Sequence, residues 1–326
     1  MAINYISVPG GHSYIVTNDI HGNRDSITVY GDGTILAGAG AGKGNDTVNF
    51  LAEPPHFKGS GIVDLGNGND SITFGDNGIV VVGKGKDTIT IGGHGTVSAG
   101  DGADSIRIAG DGIVTVGKGN DTISLGGHGN IAIGDGKDRI SLGGSGQISE
   151  MGSHGHDTIN LGSGKDTIFE AGSATVSGGF GGATISGGLL QILQSGHDVE
   201  EIASSGKATL MGSARPTEFV GGSGKTDMIG RSGSDTYIAG SGKETMDATG
   251  SHNVFKFLST VTGGTHIIDN FVSTDQLIIQ DYGTRGGSIT TGIVDGKDST
   301  IITLDGGHTK IELVGVTHFN ASEIKH

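Results

Sequence analysis

Asp70, Asp87, Asp104, Asp121 and Asp138 stand 17 residues apart, and the residues between them repeat as well. Self-similarity at a fixed short period is the mark of a solenoid. The regular units run from GNGNDSITFGDNGIVVV to GDGKDRISLGGSGQISE and fill residues 66–150. Looser units precede them (HGNRDSITVYGDGTILAGA, then GKGNDTVNF with the insertion LAEPPHFK), and GSHGHDTINL and GSGKDTIFEA follow. Each unit divides into two halves, and each half is a Gly-rich turn followed by a short alternating strand. In DTITI, Ile89 and Ile91 face one way while Thr88 and Thr90 face the other. The same inward slots hold Ile72/Phe74, Ile106/Ile108, Ile123/Leu125 and Ile140/Leu142, and the facing strands supply Val80/Val82, Val97/Ala99, Val114/Val116 and Ile131/Ile133. Ile148/Glu150 ends the series, with an acid in an apolar slot. Two turns and two strands in 17 residues leave room for a flattened coil only. The pattern predicts an all-β chain, a parallel β-roll in the form of a two-sheet right-handed solenoid, with coils stacked at ~4.8 Å.

Composition narrows the partners. Glycine supplies 66 of 326 residues, yet only 4 are proline, which excludes collagen. The recurring Val, Ile and Leu argue against a disordered Gly-rich linker. Asp and Glu number 35 against 20 Lys and Arg, a net charge of −15. That balance disfavours nucleic acid and anionic membrane surfaces, and suits a cation. No cysteine is present, so disulfides and thiolate metal sites are ruled out. No run approaches the ~20 apolar residues of a membrane span, and no charged start followed by an apolar run suggests a cleaved leader.

Stacking would place Asp46, Asp70, Asp87, Asp104, Asp121, Asp138, Asp157 and Asp166 along one edge, with Asp25 in the looser first unit. Neighbouring carboxylates ~4.8 Å apart repel by roughly 0.9 kcal/mol in water, and by more where water is excluded. Such a column calls for counter-ions. Gly83, Gly85, Gly100, Gly102, Gly117 and Gly119 precede the acids and let backbone carbonyls turn toward them. Carboxylate with carbonyl oxygen is a ligand set for a hard cation, Ca²⁺ above all. The alternate half-repeats (GDNG, GGHG, AGDG, GGSG) lack the acid, so several ions are expected along one edge only. The other edge carries Asn77, His94, Asp111, His128 and Ser145, either solvated turn residues or, where Asp111 lies between two histidines, a transition-metal site. Lys84, Asp101, Lys118 and Asp135 alternate in sign on the acid edge, as a surface ion-pair ladder would.

VGKGKDTIT (82–90) resembles the nonapeptide G-G-x-G-x-D-x-U-x of the RTX (repeats-in-toxin) hemolysin-type proteins, with Asp87 as the acid and Ile89 as the apolar U. The resemblance is close over 66–142 and looser over 22–50 and 152–170. It implies Ca²⁺ held between same-side loops of adjacent coils, by their aspartates and glycine-loop carbonyls. The sequence departs from the family where Val82, Val116 and Ile133 replace the first glycine, and where alternate half-repeats lose the acid.

Four segments are expected: an N-terminal cap strand region (1–21), the 17-residue-coil roll (22–177), degenerate repeats (178–248), and a β-rich C-terminal cap (249–326). GLLQILQ (188–194) reads as a buried strand or a short helix. A nine-residue period returns in GGSGKTDMI, GRSGSDTYI and AGSGKETMD (221–247), with Asp235 in the ligand slot and Thr226 and Glu244 in its place elsewhere. The last segment resembles the region that caps RTX rolls and carries a type I secretion signal. No H-E-x-x-H, G-x-S-x-G or cysteine nucleophile occurs, so no enzyme is expected. The reading is a calcium-binding structural protein outside a Gram-negative cell. It would fold on Ca²⁺ and assemble with copies of itself into a surface layer, filament or biofilm matrix. The alternative is an accessory module that binds extracellular polysaccharide.

Overall fold

The computed structural model describes residues 15–16, 26–36, 44–52, 58–152, 155–162, 164–178, 183–193, 200–202, 207–212, 216–231, 234–261, 263–280, 288–294 and 296–325. Asp25 lies outside them, as do 53–57 of the insertion. The chain is an all-β, parallel-stranded solenoid, and it separates into two compact units, Met1–Gly164 and Lys165–His326.

The first unit is built by strands that pair with their next-but-one neighbour in sequence. One sheet stacks Ser26–Tyr30, Thr47–Leu51, Ser71–Phe74, Thr88–Ile91, Ser105–Ile108, Thr122–Leu125, Arg139–Leu142 and Asp157–Leu161, all parallel. The other stacks Ile15–Val16, Gly33–Leu36, Gly61–Asp64, Gly78–Val81, Gly95–Ser98, Gly112–Thr115, Gly129–Ile133 and Gly146–Glu150 in the same way. The register follows the 17-residue period, so Ile72 lies beside Ile89, then Ile106, Ile123 and Ile140. Identical β-branched side chains in neighbouring strands make an apolar column with no register in which they pack better. Each fully buried Ile, Leu or Val contributes about 1.5–3 kcal/mol of transfer free energy. The narrow interior also explains the glycine at the head of each second-sheet strand from Gly33–Leu36 to Gly146–Glu150. A Cβ on Gly112 would lie 2.9 Å from both Ile108 Cδ1 and Leu125 Cδ2.

In the second unit the coils are less uniform. Asp166–Gly178 and Ala183–Leu193 are long paired strands with a register shift between Glu170 and Ser173, so the run at 188–193 is strand, not helix. Parallel stacking continues through Ala208–Met211, Lys225–Gly230, Lys243–Ala248, Thr265–Asp269 and Thr309–Leu313. Glu200–Ile202, Glu218–Val220, Thr236–Ile238, Val254–Leu258, Gln276–Gln280 and Ile324–Lys325 form the alternate series. Residues beyond 249 therefore prolong the coils. They add an antiparallel excursion, Ser288–Val294 against Lys297–Leu304, which pairs in turn with Thr309–Leu313. Pairing of this kind covers a strand edge that would otherwise be open. The core here is aromatic: Phe219, Tyr237 and Phe255 stack at centroid distances of 5.0 and 4.8 Å.

Candidate metal-binding edge

Asp46, Asp70, Asp87, Asp104, Asp121, Asp138 and Asp157 each sit one residue before or at the start of a first-sheet strand, two positions ahead of a buried Ile or Val. The period-two alternation of a strand therefore turns it inward. Asp46, Asp70, Asp87, Asp104, Asp121, Asp138 and Asp157 are all buried. Their side chains form a hydrogen-bonded ladder. Asp46 N–H donates to Asp70 Oδ1 at 2.8 Å, Asp70 to Asp87 at 2.8 Å, and Asp87 to Asp104 at 2.9 Å. Asp104 donates to Asp121 at 2.8 Å, Asp121 to Asp138 at 2.7 Å, and Asp138 to Asp157 at 2.8 Å. One oxygen of each rung from Asp70 to Asp157 is thus satisfied by the adjacent coil. The other oxygen, Oδ2 of Asp70, Asp87, Asp104, Asp121 and Asp138, is buried with no protein partner. A buried carboxylate oxygen left in that state is costly unless something charged or protic meets it.

The electrostatics record the same cost. Burial is the main cause that pushes Asp87 and Asp138 up to about 7, and Asp70 and Asp121 up to about 6. The backbone N–H from the adjacent rung pulls each back, and neighbouring acids push up again: Asp104 and Asp70 on Asp87; Asp157, Asp121 and Glu150 on Asp138. Asp104 is raised too, by burial against the N–H of Asp87.

The loops that lead into the column admit only glycine at one position. A Cβ on Gly85, Gly102 or Gly119 would lie 1.5, 1.4 or 1.3 Å from the carbonyl oxygen of Gly68, Gly85 or Gly102 respectively. On Gly83, Gly100 and Gly117 it would lie 2.7, 2.3 and 2.6 Å from the carbonyl oxygens of Gly66, Gly83 and Gly100. Backbone oxygen therefore lines the edge beside the carboxylates. Among the described residues no three His, Asp or Glu side chains close on one point. A cation between two coils would take carboxylates in pairs and complete its shell with carbonyl or water oxygen. An oxygen-only donor set of this kind fits a hard divalent cation.

Other columns use side chains as rungs without burying charge. Lys84, Lys86 and Lys137 N–H donate to Asn67, Asn69 and Asn120 Oδ1 at 2.7, 2.7 and 2.9 Å. These asparagine rungs were not singled out by sequence reasoning, although the signal, Asn in the variable positions of G-x-G-x-D, was present. Lys84–Asp101 and Lys118–Asp135 pair at 3.0 and 2.9 Å on the exposed surface. On the opposite edge, His94 N–H donates to Asn77 Oδ1 at 2.7 Å and Asp111 N–H to His94 Nδ1 at 3.0 Å. His128 N–H donates to Asp111 Oδ1 at 2.7 Å and Ser145 N–H to His128 Nδ1 at 3.0 Å. The histidine Nδ1 atoms are thus rungs of a backbone ladder, which gives a structural reason for their position.

The remaining aspartates fall in the second unit. Asp166 is buried at the head of Asp166–Gly178. Asp235 is buried in a column of mixed character: Thr217 N–H donates to Asp235 Oδ1 at 2.8 Å, Asp235 N–H to Asn253 Oδ1 at 3.0 Å, and Asn253 N–H to Asp275 Oδ1 at 2.8 Å. Asp235 Oδ2 has no protein partner, and burial lifts its carboxyl to about 6. Thr226 and Glu244 belong to a different column, on strands Lys225–Gly230 and Lys243–Ala248. The nine-residue series at 221–247 therefore alternates between two edges instead of running along one.

No protein-family model and no curated protein matches the chain. Among solved structures, the chain is similar to the crystal structure of extracellular lipase LipA from Serratia marcescens, at 15% identity and a TM-score of 0.30. The match covers 66% of this chain and 40% of the lipase.

Proposed function

We propose that the first unit is a calcium-binding β-roll of the RTX kind, whose folding is driven by cation uptake along the aspartate column. One observation carries the reading: five consecutive coils each bury a carboxylate oxygen, on Asp70, Asp87, Asp104, Asp121 and Asp138, that no protein group meets. These residues, with Asp46 and Asp157 at the ends of the column and the carbonyls of the glycine loops, would hold the ions. Calcium supplies positive charge and accepts six to eight oxygen ligands. The chain's own part is to present the carboxylates in register and to keep side chains out of the loops. Without the ions, carboxylate repulsion and the conformational freedom of 66 glycines favour the open chain. Binding free energy then becomes folding free energy. Sites with Kd of about 10⁻⁴–10⁻³ M would suit extracellular calcium, so on this reading the protein acts outside a Gram-negative cell, exported by type I secretion.

The role is structural, through association with copies of the same chain in a surface layer, filament or matrix. Ile62, Ile79, Val81 and Ile113 stand exposed on the outer face of the second sheet, which supports a sheet-face contact. Sedimentation velocity from EGTA to about 10 mM calcium tests both halves. The expected sequence is an expanded monomer, a compact monomer, then large species that EGTA reverses. A compact monomer at every higher calcium concentration would remove the assembly reading and direct the search to extracellular polysaccharide. A compact chain in EGTA would remove the calcium reading.

A further inference from the structure

The second unit contains a buried acid that the protein satisfies by itself. Thr226, Glu244 and His266 lie side by side on three consecutive parallel strands, and all are buried. They occupy the slot that follows a glycine loop, as the aspartates do in the first unit. The loops are built alike. A Cβ on Gly242 would lie 1.8 Å from Gly224 O, and one on Gly264 would lie 2.1 Å from Gly242 O. The chemistry differs. Glu244 Oε1 accepts the N–H of Gly240 at 2.7 Å, and Glu244 Oε2 lies 2.7 Å from His266 Nδ1. His266 Nε2 lies 3.1 Å from the carbonyl oxygen of Gly263.

With Glu244 ionised, both ring nitrogens of His266 face oxygens that can only accept, so that each nitrogen would donate, the hydrogen-bonding pattern of the imidazolium. The rings of Phe257 and His266 make a T-shaped contact at a centroid distance of 5.2 Å, and His266 and Glu244 are closed off from solvent. Where Asp87 keeps an oxygen for an outside partner, Glu244 has both oxygens engaged by its own chain.

We propose that His266 is a resident cation that takes the place of a metal ion in this column, so that the strands Lys225–Gly230, Lys243–Ala248 and Thr265–Asp269 stack without calcium. The arrangement is the converse of the aspartate column. One charge of each sign is buried together, and the desolvation cost of both is offset by a short hydrogen bond and two backbone contacts. Removing one partner leaves an uncompensated buried charge, which is strongly destabilising. The inference concerns the second unit alone and stands apart from whether the first unit binds calcium.

Hydrogen exchange of the full chain, read by peptide mass spectrometry in EGTA and in calcium, tests it. Peptides covering 225–230, 243–248 and 265–269 are expected to be protected equally in both conditions. His266→Asp sets a second carboxylate beside Glu244, as in the aspartate column. It should lose that protection in EGTA and regain it in calcium. Wild-type peptides that exchange freely in EGTA would overturn the proposal. Should His266→Asp not fold in either condition, nitrogen-15 NMR of wild-type His266 decides: two protonated ring nitrogens at neutral pH sustain the proposal, and a single one ends it. Failure of the calcium reading would register in different peptides, those of 61–150.

Discussion

The two units stack parallel coils in the same way but fill their buried polar columns by opposite means. The first repeats one residue, aspartate, from Asp46 to Asp157, and leaves an oxygen on each of the five central rungs unmet. The second mixes Thr217, Asp235, Asn253 and Asp275 in one column, and Thr226, Glu244 and His266 in another. The imidazole beside Glu244 supplies inside the chain what like-charged neighbours cannot supply to each other, whereas Asp235 Oδ2, in the other column, stays unmet. Uniformity thus makes a column depend on its surroundings, and placing a histidine beside the acid meets it from within.

Breaking the feature that the units share should have the largest effect. Gly102→Ala puts a methyl 1.4 Å from Gly85 O, and Gly242→Ala puts one 1.8 Å from Gly224 O. Each is expected to cost about 4 kcal/mol or more, the range of severe backbone clashes, in its own unit. Local hydrogen exchange would show it, and tolerance of Gly242→Ala alone would mean that the units do not share a scaffold.

Next comes charge. Asp104→Asn with Asp121→Asn should raise the calcium midpoint of folding roughly tenfold, since ligand charge sets affinity. The same change should stabilise the first unit in EGTA. A circular dichroism titration checks both, and loss of stability in EGTA would show that these acids are not the strained element.

Acidity gives a third measure. In cation-free buffer, the raised carboxyls of Asp70, Asp87, Asp121 and Asp138 hold protons in the folded state up to about pH 6–7, while the unfolded chain releases them near the ordinary aspartate value of 3.8. The folded state binds more protons in that window, so stability falls as pH rises through it and levels off above. Thermal unfolding in EGTA from pH 4 to 8 should show that decline in the first unit. A midpoint that rises with pH would contradict the burial of the column.

Smaller still is Tyr237→Phe, which removes the 2.8 Å hydrogen bond from Tyr237 Oη to Asp247 O while keeping the aromatic stack. It should cost about 1 kcal/mol and affect the second unit only. Asp101→Asn, at an exposed ion pair with Lys84, should leave the unfolding midpoint unchanged.

How much of this was legible beforehand differs between the units for a physical reason. In the first, each coil packs on a near copy of itself, so spacing alone gives the inward residues from Ile72 to Ile140 and the aspartates with them. In the second, equivalent rungs are 18, 18 and 22 residues apart, from Thr217 to Asp235, Asn253 and Asp275. Variable turns blur the period, and a nine-residue repeat read as one series in fact alternates between edges. His266 was not recognisable as a rung, because only the pairing of Lys243–Ala248 with Thr265–Asp269 sets it beside Glu244. The run at 188–193 was ambiguous because unbroken apolar residues suit a buried strand and a helix equally.

The strict register of the first unit also bears on how such a molecule changes over generations. Deleting residues 88–104 would join Asp87 to Ser105, and the strands brought together would again match: Ile72 beside Ile106, Phe74 beside Ile108, Val80 beside Val114. Asp111 would follow Asn77 on the opposite edge, with an acceptor still waiting for its N–H. Slippage in repetitive DNA can therefore shorten or lengthen the molecule by one interstrand step of ~4.8 Å without inventing any new contact. Length becomes a heritable quantity that selection can adjust in whole coils.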